Sequence, residues 1–137
     1  ISLSTNIDQI GGKNISDYVS KNTEKEAIFI VPPNFGGLRL IAQRAIVIDW
    51  KVVLFNDQGL RGWWTRIKDC YGELPSDISI PKKMKMIYDN YEIITDDRLL
   101  SIAKKYKASY AILYKKTPSI FPVLFSDVNY KLIKIQL

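Results

Sequence analysis

Histidine is missing from the 137-residue chain, and cysteine occurs once, as Cys70. Without histidine the chain cannot carry a Ser-His-Asp triad, a Cys-His pair or a histidine-ligated metal. A single cysteine excludes an internal disulfide and a thiolate zinc site. We interpret Cys70 as a half-buried apolar residue of a helix, not as a reactive thiol. The sequence therefore predicts no cofactor, no metal site and no catalytic residue.

Long apolar runs are missing as well. No stretch approaches the roughly 20 residues that a membrane-spanning helix needs, and the first residues lack the pattern of a signal peptide. The chain begins Ile1-Ser2-Leu3 without an initiator methionine. We take this start to indicate a piece cut or processed from a longer protein.

What the chain does have is an ordinary globular composition with an excess of positive charge. Apolar residues make up 47% and charged residues 25%, with 20 lysines and arginines against 14 acids. The length suits one domain. The lysines are scattered over three regions, and no recognition motif accompanies them, so we predict a solvated surface and no specific nucleic-acid binding. Attraction to phosphate, on nucleic acid or on anionic lipid headgroups, is the alternative interpretation of the charge.

Three apolar runs, residues 27–31, 45–49 and 109–114, predict strands that are buried on both faces. A short helix over residues 36–43 would join the first two as a βαβ unit. Two later runs, residues 120–125 and 130–135, predict an antiparallel hairpin. The lysines of the last run suggest that it is an edge strand.

Helices are predicted over residues 14–22, 58–71, 81–91 and 97–107, the last capped by Thr95 and the second closed by Gly72. Residues 1–13 would be a lead-in segment, and residues 14–137 a single α/β domain. We expect a three-layer sandwich with a Rossmann-like, mostly parallel sheet and a C-terminal antiparallel hairpin.

The turn after the first strand is a candidate ligand site. It matches neither the Walker A pattern nor G-x-G-x-x-G. However, it follows a parallel strand and opens a helix, where free N–H groups favour an anion. Asn34, Gly36, Gly37 and Arg39 would contact that anion. Because two prolines remove N–H donors from the same turn, we predict a structural turn first and at most a weak anion site.

Four other residues are candidates for ligand binding. Arg44 could pair with Asp49 or Asp57, or bind an anion. Asp49 ends the second strand at the same sheet edge and is the best candidate for a functional acid. Trp63, close to Arg66, could stack on a sugar or a base or lie at a membrane surface. The alternative is that one of the two adjacent tryptophans belongs to the core.

Part of the chain resembles a recurring bacterial pattern, which is strongest over residues 26–68. The pattern is carried by Ala27-Ile28-Phe29-Ile30-Val31-Pro32-Pro33, Leu38-Arg39, Arg44-Ala45-Ile46-Val47-Ile48-Asp49-Trp50-Lys51, and Gly59 through Trp64 to Arg66-Ile67. It is similar to the soluble C-terminal domain of uncharacterised multi-pass membrane proteins. These proteins are distantly similar to lipid-linked-sugar glycosyltransferases of the oligosaccharyltransferase type.

This resemblance implies a non-catalytic module on the extracytoplasmic face of a bacterial membrane. Its partners would be the rest of a membrane protein and a glycan, a lipid-linked sugar or a lipid headgroup. No catalytic residue is carried over, because the acceptor-binding motif of those enzymes continues with aspartate, whereas Thr65 follows Trp63-Trp64. The alternative hypothesis is a free-standing α/β enzyme or binding protein for a small anionic ligand. We expect no hydrolase or transferase turnover from this domain alone.

Overall fold

The computed structural model of the chain describes residues 13–33, 35, 38–48, 65–75 and 77–136. The described helices and strands combine as in an α/β fold. In chain order they are α1 (Lys13–Asn22), β1 (Ile28–Ile30), a π-helical turn (Leu38–Ala42), β2 (Ala45–Ile46), α2 (described over residues 65–71), α3 (Ile80–Glu92), α4 (Asp96–Tyr106), β3 (Tyr110–Tyr114), β4 (Val123–Ser126) and β5 (Tyr130–Lys134).

The strands form one mixed sheet in the order β2-β1-β3-β5-β4. Strand β1 is parallel to both of its neighbours, with Phe29 opposite Ile46 on one side and Tyr110 on the other. The C-terminal strands are antiparallel: β5 pairs with β3 and with β4. The predicted neighbourhood of the first three strands and the predicted hairpin are both confirmed.

The prediction that the last strand lies at the edge is wrong. Strand β5 lies between β3 and β4, and β4 is the outer strand of the sheet. Leu132 and Ile133 point to opposite faces, and both are fully buried, as in an interior strand. Strand β4 carries a bulge between Val123 and Phe125, an irregularity that discourages pairing with another chain at a sheet edge.

Helices contact both faces of the sheet, because successive strand residues point to opposite sides. On one face, Phe29 and Ile112 form a cluster with Ile15 and Val19 of α1 and with the π-helical turn. On the other face, Ile30 and further strand residues pack against apolar residues of α2, α3 and α4. Each face thus has its own core cluster, with the sheet between them.

The two long helices on the second face begin at residues suited to capping. The Ser79 hydroxyl accepts a hydrogen bond from the Lys82 amide at the start of α3, and Pro81 occupies the first turn. The Thr95 hydroxyl does the same for Arg98 in α4. Helix α3 runs for 13 residues and is longer than the sequence indicated. The predicted Thr95 cap is confirmed.

Helix α2 ends at Gly72, whose φ of +85° is readily accessible only to glycine. A polar contact links α2 to α4 near this end. The Asp69 carboxylate accepts hydrogen bonds from Lys105 Nζ at 2.6 Å and from the Tyr106 hydroxyl at 2.5 Å. Arg98 donates to the Asp69 carbonyl at 2.9 Å. Asp69 therefore joins two helices that pack on the same face of the sheet.

Candidate ligand-binding site

Most of the sequence-predicted site lies outside the described residues. This applies to Asn34, Gly36, Gly37, Asp49 and Trp63. The backbone of Arg39 belongs to the π-helical turn, while its side chain lies outside the described part. The proposed anion site at this turn stays a prediction.

Arg44 is a buried arginine, 6% exposed, immediately before β2. Its guanidinium donates to the Ala42 carbonyl at 2.8 Å and to the Thr23 carbonyl at 2.9 Å. Three longer bonds reach the Thr23 hydroxyl and the carbonyls of Val19 and Ser20. These carbonyls lie at the C-terminal end of α1, where a cation also complements the helix dipole. The described contacts therefore give Arg44 a structural role as a cap of α1.

Arg66 contacts a different part of the fold. It donates to the Val47 carbonyl at 2.6 Å, and its guanidinium carbon lies 5.0 Å from the centre of the Tyr106 ring. This distance is within the range of a cation–π contact. Within the described ranges, the contacts of Arg44 and Arg66 share no residue, so these two predicted site residues are not brought to a common site there.

The carboxyl end of β1 is where a ligand crevice is expected. The chain leaves β1 through the π-helical turn on one face, whereas the helices that precede β3 lie on the other face. Such a change of direction between neighbouring parallel strands opens a crevice at their carboxyl ends. Here two tyrosine hydroxyls reach the crevice: Tyr71 donates to the Val31 carbonyl at 3.2 Å, and Tyr91 to the Ile112 carbonyl at 2.5 Å.

These two hydroxyls satisfy carbonyls that lie beyond the last pairing of β1 with β3, at Ile30 and Ala111. Proline follows Val31 directly and has no N–H group to extend the ladder. Tyr91 is fully buried, and Tyr71 is 2% exposed. The crevice between β1 and β3 is thus occupied by the protein's own aromatic side chains.

From this crevice a row of aromatic rings leads to the surface. Tyr71 and Tyr91 meet edge to face with their centroids 5.6 Å apart, and Tyr91 meets Tyr114 at 5.9 Å. Tyr114 stacks on Tyr130 at 6.0 Å, and Phe35 meets Tyr130 edge to face at 5.1 Å. Tyr130 lies on β5 and Phe35 follows β1. The row of rings therefore joins distant parts of the chain at the carboxyl ends of strands β1 and β3.

An open groove of about 540 Å³ lies at the outer end of this row, and we call it the tyrosine groove. Its walls are Tyr114, Lys115, Lys116, Val128, Asn129 and Tyr130. Lys116 forms an ion pair with Glu92 at 2.6 Å. Lys115 forms no ion pair with any residue of the described ranges. The groove therefore offers two aromatic rings, an amide side chain and an available ammonium group.

The hydroxyls of the groove are un-ionised at neutral pH. Burial raises the pKa of Tyr114 above its ordinary value, and the neighbouring Tyr130 adds to this shift. Burial also raises the pKa of Tyr130, with a further contribution from Asp127. Both groups are consequently hydrogen-bond donors and acceptors. They suit recognition of a polar ligand and do not provide a base.

Nucleophilic chemistry is not supported at Cys70. The residue is 1% exposed and so is fully buried, not half-buried as we predicted. Burial raises the pKa of its thiol to about 12, and the neighbouring Asp69 acts in the same direction. A thiol of this kind stays protonated and out of reach of solvent. No group of three or more potential metal ligands occurs in the described part of the chain.

Reasoning from the sequence missed the tyrosine groove. Its two rings lie at the end of one strand and the start of another, and Phe35 comes from a turn about 80 residues earlier. The available signal was weak: tyrosines at strand ends, with Lys115 and Lys116 directly after β3. These residues come together at the carboxyl end of β3 only because of the order of the strands in the sheet.

Fold and groove together define an α/β domain with a mixed sheet, of five strands in the described ranges, and an aromatic groove at the carboxyl end of β3. Residues 12–70 match a family described as a domain of unknown function (DUF6798). A comparison with curated proteins found no match. The family match extends from α1 into α2, whereas the walls of the groove come from the C-terminal half. None of the helices in the described ranges is long and apolar enough to cross a membrane.

Proposed function

We propose that the chain is a non-catalytic binding module of a larger bacterial membrane protein, exposed on the extracytoplasmic face, and that its tyrosine groove binds a glycan. The glycan can be free or carried by a lipid. The membrane context rests on the resemblance of residues 26–68 to the soluble domains of multi-pass membrane proteins. The ligand class rests on the groove itself.

The observation that supports a glycan is the pair of rings at the groove. Tyr114 and Tyr130 lie 6.0 Å apart, each about half buried. A sugar ring has an apolar face of C–H groups and a rim of hydroxyls, and tyrosine combines an apolar face with a polar tip. Asn129 and Lys115 add donors beside the rings. Few convergent polar groups around aromatic surface are typical of small-ligand sites.

A second candidate is a small anionic ligand bound by a free-standing protein. Lys115 supports it, because its ammonium group has no ion-pair partner in the described ranges. The two candidates differ in what they require. A glycan needs the aromatic ring of Tyr130, whereas a small anion needs the charge of Lys115.

Binding of the 137-residue chain to neutral and acidic oligosaccharides, inorganic phosphate and nucleotides can be followed by amide chemical shifts. We expect an oligosaccharide to shift the amides of Asn129 and Tyr130, and Tyr130→Leu to weaken its binding roughly tenfold, or about 1.4 kcal/mol. The matched control is Tyr18→Leu, since Tyr18 is half-buried and stacks on Phe125 outside the groove. Binding of phosphate alone, abolished by Lys115→Ala, would favour the second candidate.

The membrane context has its own test. Protease added to intact cells that express the complete gene product should digest this domain, if it lies on the extracytoplasmic face. A cytoplasmic enzyme of the same cells serves as the protected control. Protection of the domain until the cells are lysed would contradict the proposed location.

A further inference from the structure

We propose that the glycan site continues from the tyrosine groove onto the last turns of α3, where Tyr88 adds a third aromatic ring. The site then binds a chain of two or more sugar units in preference to a single sugar. This inference rests on the proposed function, and it names the class of glycan and a binding residue outside the walls of the groove. Tyr88 is 37% exposed and is the most exposed tyrosine in the described ranges.

Two contacts place the end of α3 beside the groove. Glu92, the last residue of α3, forms an ion pair with Lys116 at 2.6 Å, and Lys116 is part of the groove wall. The ring of Tyr91 meets that of Tyr114, a second wall residue, with the centroids 5.9 Å apart. The C-terminal turn of α3 therefore lies directly against the groove.

Tyr88 occupies the side of α3 that carries these two contacts. It comes three residues before Tyr91 and four before Glu92, and residues at these spacings are neighbours on the surface of a helix. With about 3.6 residues per turn, Tyr88 lies about 60° around the helix from Tyr91 and about 40° from Glu92, between the two directions. Tyr91 is fully buried, whereas Tyr88 is exposed. Tyr88 therefore lies at the border between the core and the groove.

The electrostatic environment of the two groove tyrosines agrees with this position. Burial is the main cause of the raised pKa of Tyr114, and Tyr130 and then Tyr88 add to it. Burial is also the main cause of the raised pKa of Tyr130, and Asp127 and then Tyr88 add to it. Because solvent screens charges at longer range, a contribution to both groups means that the Tyr88 hydroxyl lies near both groove tyrosines.

The dimensions of the groove suit a chain of sugars. Its volume of about 540 Å³ falls within the roughly 300–1,000 Å³ of sites that hold a drug-sized ligand, which is larger than one sugar ring. Because Tyr88 comes four residues before Glu92, it lies about 6 Å further along the axis of α3, a displacement comparable to one sugar unit. Tyr114 and Tyr130 can thus contact one unit while Tyr88, with its apolar ring and polar tip, contacts the next.

Two uncharged series of sugars serve as probes in titration calorimetry with the 137-residue chain: glucose, maltose and maltotetraose, and N-acetylglucosamine, chitobiose and chitotetraose. In a series that binds, we expect the tetramer to bind roughly tenfold more tightly than the single sugar. Tyr88→Ala should weaken the tetramer about fivefold, as for the loss of one aromatic contact, and leave the single sugar unchanged. Tyr88→Phe keeps the ring and should retain most of the gain. The matched control is Asp89→Ala, which lies next on α3 but about 100° around the helix and should change neither.

Equal affinity for a single sugar and its tetramer would overturn this inference, and so would tetramer binding that is unchanged in Tyr88→Ala. Either result leaves the glycan proposal intact, provided that Tyr130→Leu still weakens binding. If the unmodified chain binds neither series at any length, the glycan proposal and this inference fail together. Tyr88→Ala places a strong helix former at an exposed helical position, so its circular dichroism spectrum should match that of the unmodified chain.

Discussion

Replacing Arg44 with methionine is expected to lower the free energy of unfolding by about 3 kcal/mol. Methionine keeps an apolar stem of similar length but loses every donor of the guanidinium. The carbonyls of Ser20, Thr23 and Ala42 then lose a charged donor, while Val19 keeps the Thr23 amide and hydroxyl. A hydrogen bond to a charged group contributes about 1.5–3 kcal/mol when fully buried.

We take roughly 1 kcal/mol for each of the three carbonyls, because water can reach the end of α1 and replace part of the lost interaction. For a chain of 137 residues, 3 kcal/mol corresponds to a fall in Tm of about 10 °C. Urea unfolding followed by circular dichroism measures the free energy directly, and a thermal scan measures Tm.

Arg66→Met is the matched control. Arg66 is exposed and, within the described ranges, makes one carbonyl contact and one ring contact, so its loss should cost less than about 1 kcal/mol. If Arg44→Met is no more destabilising than Arg66→Met, the reasoning from the capping contacts is refuted. If phosphate raises the Tm of the unmodified chain but not that of Arg44→Met, the guanidinium binds an anion. That result would support the alternative raised in the sequence analysis, in which Arg44 is an anion-binding residue.

Three more predictions follow from buried or paired groups. Tyr91→Phe removes the hydroxyl that donates to Ile112 and should cost about 1–3 kcal/mol in urea unfolding; an unchanged midpoint would contradict this. Cys70, with a pKa raised to about 12 by burial, should resist iodoacetamide at pH 8 until urea unfolds the chain, as followed by mass spectrometry. Burial raises the pKa of Asp69, but the hydrogen bond from Lys105 helps to hold it below the ordinary value. Its stabilisation is therefore present above the unfolded pKa near 3.8 and lost as pH falls through the folded value. Asp69→Asn should accordingly flatten the loss of stability below pH 4, and an unaltered acid profile would contradict it.

The central strands of the sheet could be predicted from the sequence, because a buried strand leaves an apolar run in it. Residues 27–31 and 109–114 are apolar runs because a strand with helices on both faces needs apolar residues at nearly every position. Residues 45–49 were predicted as a strand of the same kind, but the described strand β2 covers only Ala45–Ile46, and Ala45 is exposed. The N-terminal cap of α4 was predictable for a similar reason, since Thr95 followed by Asp96 and Asp97 satisfies free amides and the helix dipole at once.

The position of β5 was not predictable from its lysines. Lys131 and Lys134 suggested an edge, yet long lysine side chains can carry their charge to solvent from an interior strand. Lys134 Nζ lies 5.5 Å from the centre of the Tyr110 ring. The fully buried pair Leu132 and Ile133 was the better indicator. The tyrosine groove could not be foreseen either, because its walls meet only through strand order.

The pairing of β1 with β3 has a consequence for the order of events during synthesis. Phe29 pairs with Tyr110, so 81 residues separate the two partners. At about 5–20 residues per second, a ribosome takes roughly 4–16 s to travel that distance. During that interval β1 can pair with β2 but not yet with β3, its other neighbour in the sheet. Closure of the sheet therefore waits until β3 has left the ribosome, and the hairpin of β4 and β5 follows it.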